Sequence, residues 1–396
     1  MADLLEPDIA LERTLAAVPP PLTKQLPAEE CVGLILAADV VANADLPPFD
    51  RAMMDGYAVR LVDAGKTVAP RDEIAAGDGK ARDPLQPGFA YPIMTGAPIP
   101  AGAEAVVPIE QTTRAGDRVQ LPERIRPRGN IASRGSECIA GRPWARSGSP
   151  VTPMTLAAAL SVGALQLTVH PRPSIAVITT GNELSIDPTS PGSIRDSNGP
   201  MLVALLHEAG LSARRQTVRD DANTLFTALQ SHAALDAIVL TGGVSAGTHD
   251  EVPGVLRRLG AEILFHKVSQ RPGKPLLVAR IGRQMVFGLP GNPLAAHLCT
   301  CRYVIPALRQ LAGLSHTPIN GRGTVSATLP SNSDRTWFLP ARVSVESITP
   351  LPPVSSADLV QPHQANAYLR IEPGAAALPT GSSISYTRIG VDAWPS

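Results

Sequence analysis

Aromatic residues are scarce in this 396-residue chain, at 4%, and it carries no net charge, because 35 Lys and Arg balance 35 Asp and Glu. So few aromatics exclude a base-stacking platform for single-stranded nucleic acid. The balance of charge lacks the basic excess of a nucleic-acid binder, so an anionic ligand has to be held by local clusters. Cysteine is equally sparse: Cys31, Cys138, Cys299 and Cys301, with no C-x-x-C pair. Cys299 and Cys301 lie two apart in a helical pattern and point to different sides, which argues against a shared metal. Reduced thiols of a cytosolic protein are the expectation. There is no secretory leader pattern and no apolar run of about 18 residues. A soluble, cytoplasmic protein without a nucleic-acid or membrane partner is therefore expected.

What the chain does contain is 44% apolar residues, 40 prolines and 33 glycines. The length exceeds what one core organises, so several domains are expected. Helical periodicity runs around Ile9 to Ala17 and Glu29 to Ala38. From Leu46 to about Gly141, short apolar stretches such as FAYPIM and AEAVVPIE alternate with Pro/Gly turns, as in a small β-rich domain. SIAVITT, from Ser174 to Thr180, then opens a different pattern, a fully apolar strand of the parallel-sheet kind. SNGPMLVALLHEAG reads as a helix with Pro200 in its first turn and Gly210 past its end. Further strands (LSARRQTV, DAIVL, AEILFHKV, LLVARI, MVFGL) alternate with helices at Leu225 to Ala234 and Val252 to Leu259. Asn292 and Pro293 read as the N-cap and first position of a last helix, kinked at Pro306 and stopped by Gly313. This alternation predicts a three-layer α/β domain. Short strands and turns after Gly321 predict a small β domain at the end.

Ligands of an open α/β sheet bind beyond the carboxyl ends of its strands. Three such ends are informative here. ITTGNELS presents Asn182 and Glu183; IVLTGGVSAGTHD runs through Gly242, Gly243, Ser245 and Gly247 to Asp250; FGLPGNP carries Pro290, Gly291 and Asn292 into a helix. Gly-rich turns into helix N-termini suit a phosphate or other oxyanion, although such loops also occur as plain tight turns. Glu183, Asp220 and Asp250 beside them suit a divalent cation, although Asp220 and Asp250 also read as helix N-terminal acids serving only the dipole. HKVSQRPGKP places Lys267, Arg271 and Lys274 within eight residues, a rim of cations around a Pro-Gly turn or a solvated charge run. RIRPRGNIASRGSEC is a second basic, Gly-rich segment, an anion contact or an exposed loop. No G-x-S-x-G or H-E-x-x-H motif is present.

In this order PFDRAMMDGYAV, IMTGAPIPAGAEAVV, RGNIASRGSE, TTGNEL, GGVSAGTHD, RPGKP and FGLPGNP resemble the molybdopterin molybdenumtransferase family, from about Leu26 to Tyr386. The resemblance extends to gephyrin E-domain-like proteins. It implies insertion of molybdate into adenylylated molybdopterin with release of AMP, Mg²⁺ as cofactor, and a homodimer. It implies an α/β multidomain fold whose central three-layer α/β domain is of the molybdopterin-binding type. Residues 171–314 would form it, with a β-rich domain at 46–141, a small mixed linking domain at 1–45 with 142–170, and a C-terminal β-barrel-like domain at 315–396. Asp55 and Thr95 would be the β-rich domain's contribution to a cleft shared with the partner's α/β domain, with Met53 and Met54 packing that loop in place. Glu183, Asp220 and Asp250 would hold the cation and the adenylate side, and Lys267 and Arg271 would bind anionic groups, Lys267 more strongly than Lys274. Gly242, Gly243, Ser245, Lys274, Pro290, Gly291, Asn292, Glu137, Arg342 and Ser356 would contact substrate. Molybdopterin adenylyltransferase and recipient molybdoenzymes are the implied partners.

The chain also departs from the family pattern. Ala52-Met53-Met54 stands where Ser-Ala-Met is usual, Asn182 where an Asp is usual, Glu137 for Asp and Arg271 for Lys. Asn182 removes a charge and so implies weaker cation binding. Two other readings follow from these residues: a catalytically weakened paralogue acting as cofactor carrier or scaffold, and a molybdopterin adenylyltransferase, which would resemble the central domain alone.

Overall fold

The protein is described from a computed structural model at residues 4–185, 191–244, 251–314 and 318–390. It divides into two compact units, one formed by Met1–Lys24, Gly33–Ala37 and Thr168–Ser396, the other by Gln25–Val32 and Ala38–Leu167.

In the first unit the apolar run Ile175–Thr180 (β1) is buried along its whole length. It is followed by helix Asn198–Glu208 (α1), strand Ala213–Val218 (β2), helix Ala222–Ser231 (α2), strand Ala237–Thr241 (β3) and helix Glu251–Arg258 (α3). Next come strands Glu262–His266 (β4), Gln270–Arg271 (β5), Leu277–Ile281 (β6) and Gln284–Leu289 (β7). The sheet order is β2-β1-β3-β7-β6-β4, with β2, β1, β3 and β7 parallel, β6 antiparallel to β7, and β4 antiparallel to β6.

Side-chain alternation along these strands feeds two cores, because successive residues of a strand face opposite sides. Ile175, Val177, Ala237, Val239, Met285 and Phe287 pack with Leu202, Leu205 and Leu206 of α1 on one face. Ile178, Ile238, Leu240 and Val286 pack with Leu225, Leu229, Val252 and Leu256 of α2 and α3 on the other. The expected three layers are there. Asp221 starts α2 by accepting the amides of Asn223 and Thr224, and the bonds to Thr224 hold its carboxyl below the usual range.

Helix Pro293–Cys299 (α4) continues through a π-helical turn, Thr300–Val304, into helix Ile305–Leu311 (α5). The kink expected at Pro306 is thus taken up by one widened turn just before it, which removes the carbonyl clash that a proline makes in a regular helix. Cys299 is fully buried beside Gly273 and Gln270, whereas Cys301 lies near His297, so the two thiols do face different neighbours. Burial pushes the Cys301 thiol up to about 12.

Beyond this lies the sheet of strands Asn320–Thr324 (β8), Thr336–Val343 (β9), Ile348–Pro350 (β10), Ala367–Ile371 (β11) and Ser383–Arg388 (β12). Its order is β5-β9-β11-β12-β8, with β10 on β9. The two-residue strand β5, reached directly after β4, therefore pairs with the C-terminal sheet, Gln270 opposite Thr336 and Arg271 opposite Trp337.

The second unit is built on a sheet of strands Ala105–Pro108, Gly56–Val59, Phe89–Ile93, Thr67–Pro70, Arg118–Gln120 and Thr113–Ala115, in that order. A Cβ on Gly56 would lie 2.0 Å from the Val107 carbonyl oxygen, so this glycine answers the approach of the neighbouring strand. The basic segment from Arg124 is pinned by acids. Asp50 accepts from Arg128 at 2.7 Å and from the Arg134 amide at 2.9 Å, and Asp45 accepts from Arg134 at 2.6 Å. Among the described residues no helix is long and apolar enough to cross a membrane.

Candidate active site

The chain runs from β1 outward to β2 and then returns to the other side of β1 as β3. The strand order reverses between β1 and β3, and at such a switch point the loops diverge and leave a crevice. A cleft of about 790 Å³ lies there, lined from β1 by Thr179, Thr180, Gly181 and Glu183, from β3 by Thr241, Gly242 and Gly243, and from the loop after β2 by Asp220. That size is ordinary for a small-molecule site. Gly242 has φ +99°, and a Cβ on it would stand 2.1 Å from the Thr180 carbonyl oxygen, so only glycine lets the two loops touch.

The floor is polar and ordered. Thr180 Oγ1 donates to Asp220 Oδ1 at 3.1 Å, and a Cβ on Gly243 would meet the same oxygen at 3.0 Å, which places the carboxylate against the glycine loop. Buried Asn198, at the start of α1, donates from Nδ2 to Thr241 Oγ1 at 2.9 Å and to the Gly291 carbonyl at 2.7 Å. One side chain thereby ties two loops together. Asp196 accepts the Gly199 amide at 2.8 Å and so occupies an α1 N-terminal donor. The Gly242 amide donates to Leu289 and is likewise used. The Gly243 and Gly291 amides have no acceptor among the described residues, and these remain for a ligand oxygen.

The lining also holds cations. Arg271 ends β5, Lys274 follows in the turn after it, Arg335 immediately precedes β9, and Ser356 comes from the loop before β11. Asn292 caps α4 by position but spends its Nδ2 on Ser356 Oγ at 2.7 Å, while the Leu294 amide donates to the Ser356 carbonyl. Ser356 therefore closes the α4 N-terminus, in place of the side-chain cap expected of Asn292.

Comparison with known proteins bears on this site. The MoeA N-terminal region (domain I and II) matches residues 5–163, a probable molybdopterin binding domain matches 176–310, and the MoeA C-terminal region (domain IV) matches 322–389. A molybdopterin molybdenumtransferase 2 of Mycobacterium tuberculosis is 37% identical over 305 residues, covering 73% of this chain and 75% of that protein. A molybdopterin molybdenumtransferase of Staphylococcus aureus is 35% identical over 333 residues, covering 81% and 79%. The chain belongs to the molybdopterin molybdenumtransferase family. The crystal structure of a molybdopterin biosynthesis MoeA protein from Pyrococcus horikoshii superposes with a TM-score of 0.83 at 26% identity, over 98% of this chain and 99% of that one.

For this molybdopterin molybdenumtransferase family member, the residues expected from sequence fall into four groups. Glu183, Asp220, Gly242, Gly243, Arg271, Lys274, Pro290, Gly291, Asn292 and Ser356 all line the cleft. Lys267 does not: it sits at φ +83° with its amide bonded to Leu276, and Lys274 is the lysine in the lining. Arg342 is also outside the lining and donates to Gln364 at 2.9 Å. Ser245 and Asp250 lie outside the described residues.

Asp55, Thr95 and Glu137 belong to the second unit. There Asp55 Oδ1 accepts both the amide and the hydroxyl of Thr95, each at 2.7 Å, and these bonds hold its carboxyl below the usual range. Glu137 pairs with Arg51 at 2.7 Å, which occupies it within its own unit. Met53 and Met54 are 57% and 43% exposed and do not pack the loop down; the Asp55–Thr95 bonds fix it.

Sequence reasoning missed Asn198 and Arg335. The RDSNG run before α1 is a signal for the first, since an amide beside a helix start commonly bonds across loops. Arg335 carries none, because its place depends on β9 pairing with β5.

Proposed function

We propose that this protein transfers molybdenum from molybdate to adenylylated molybdopterin, releasing AMP, with Mg²⁺ bound at the cleft and as a cytoplasmic homodimer. The observation that carries the reading is one cleft lined by both carboxylates, Glu183 and Asp220, and cations, Arg271, Lys274 and Arg335. A substrate with a phosphoanhydride and a co-substrate oxyanion needs both. Family matches on either side of the α/β domain argue against the adenylyltransferase reading.

The donor set fits the ion. Of the three acids among the described residues that line the cleft, Asp196 is spent on the Gly199 amide, so Glu183 and Asp220 are the hard carboxylates that would be offered to the ion, with substrate oxygens completing it. That is the usual Mg²⁺ arrangement. Glu183 and Asp220 would hold the ion, with Asp250 as a third candidate, and the ion would neutralise phosphate oxygens as AMP leaves. Thr180 orients the Asp220 carboxylate, the Gly243 amide offers a donor to the phosphate, and Arg271, Lys274 and Arg335 hold the oxyanion. A molybdopterin adenylyltransferase upstream and recipient molybdoenzymes downstream are the proposed partners.

AMP release from adenylylated molybdopterin tests the reading. It should require molybdate and Mg²⁺ together. Formation of adenylylated molybdopterin from ATP, or no AMP release under any condition, would sink it.

Asn182 decides a second point. Its Oδ1 accepts the Asp220 amide at 3.2 Å and its Nδ2 faces the Asp220 carbonyl, so the side chain staples the loop and stays off the cleft lining. Because Asn182 is spent on the Asp220 backbone, its missing charge is expected to matter little to the cation, against the weaker binding expected from sequence. Asn182→Asp should therefore leave the Mg²⁺ concentration for half-maximal activity within about twofold of wild type. A clear drop in that concentration would put position 182 next to the ion.

A further inference from the structure

The cations of the cleft lining have an internal order that their charges alone do not require. Arg271 lies with its guanidinium carbon 3.9 Å over the centre of the Trp337 ring, the two residues being paired partners in β5 and β9. Arg271 Nε is buried and has no acceptor among the described residues. Arg335, the residue just before β9, is fixed by its Nε on Asp334 at 3.2 Å and its Nη1 on the Gln270 carbonyl at 3.4 Å. Both arginines line the cleft.

A guanidinium stacked on an indole keeps its plane, so its edge donors point in fixed directions; a lysine ammonium has no plane to fix. We propose that Trp337 is the positioning residue that sets the plane of Arg271, so that Arg271 and Arg335 together form a pre-oriented clamp for one tetrahedral oxyanion. The proposal rests on the reading of this cleft as an oxyanion site. Trp337 itself touches no substrate; it acts through Arg271. The clamp fits a free tetrahedral oxyanion or a nucleotide phosphate, so each has its own arm in the test.

Molybdate alone and AMP alone are titrated calorimetrically into the full chain. Trp337→Leu is expected to raise the Kd of the clamped anion about tenfold, and Trp337→Phe, with a weaker ring, about threefold. In an Arg271→Lys background the same replacements should each change it by less than about twofold, because no plane remains to be set. The arm that shows this coupling names the occupant. Equal losses in both backgrounds, or none in either arm, overturn the proposal, and Trp337→Phe alone decides the cycle if Trp337→Leu does not fold. Lys274→Ala separates the two levels of the argument. If it weakens binding while the Trp337 variants do not, only the positioning role fails; if it and Arg271→Lys both leave binding unchanged, the oxyanion site fails with it.

Discussion

Asp220→Asn is expected to lower kcat/KM for molybdate-dependent AMP release by about a hundredfold or more, because on the proposed function it removes a carboxylate that would hold the ion while keeping the side chain's shape. The surrounding structure gives little reason for misfolding. Asp220 is only partly buried, and its contacts are Thr180 Oγ1 and the Asn182 side chain against its backbone. The amide introduced by Asp220→Asn still accepts from Thr180 through its oxygen, so the melting temperature should move little. Raising Mg²⁺ should recover part of the activity, since a weakened ion site fills by mass action. Activity within threefold of wild type at low Mg²⁺ would remove Asp220 from the ion and leave it as a loop-ordering residue.

Mixing two inactive proteins should restore activity. Asp55 is exposed, ionised and held by Thr95, with no cation paired to it among the described residues, which suits a carboxylate waiting for a ligand. If each site of a two-fold dimer takes Asp55 from one protomer and Asp220 from the other, Asp55→Ala and Asp220→Ala homodimers are each inactive. Co-refolding equal amounts at random makes about half of the dimers mixed, and each mixed dimer has one intact and one doubly damaged site, giving about a quarter of wild-type activity. A site contained in one chain gives no recovery, because every site then carries one lesion. Mixed dimers verified by native mass spectrometry without recovered activity would rule out the shared site.

The sequence by itself determined the α/β domain and most of its cleft. Buried strands such as Ile175–Thr180 and helices with marked ends such as Asn198–Glu208 are local patterns, because side-chain period and turn chemistry are set by neighbouring residues. Glu183, Gly242, Gly243 and Pro290 follow from those strand ends, where an open sheet presents its ligands. Local pattern also carried the motifs that mark the family.

Only the tertiary structure decided which charges face the cleft. Lys267 and Lys274 lie in one charge run, and which of them lines the cleft depends on the Lys267 amide bonded to Leu276 and on β5 leaving the α/β sheet. Trp337 sits in a strand, and Arg335 just before it, whose partners lie 65 or more residues back, so no window of sequence places them beside Arg271. Asn182 shows the same limit from the other side. Its missing charge is visible in the sequence, but its direction was fixed by a hydrogen bond to the Asp220 backbone, 38 residues away. Pairing between distant segments is a property of the folded chain, and side-chain direction at a site follows from it.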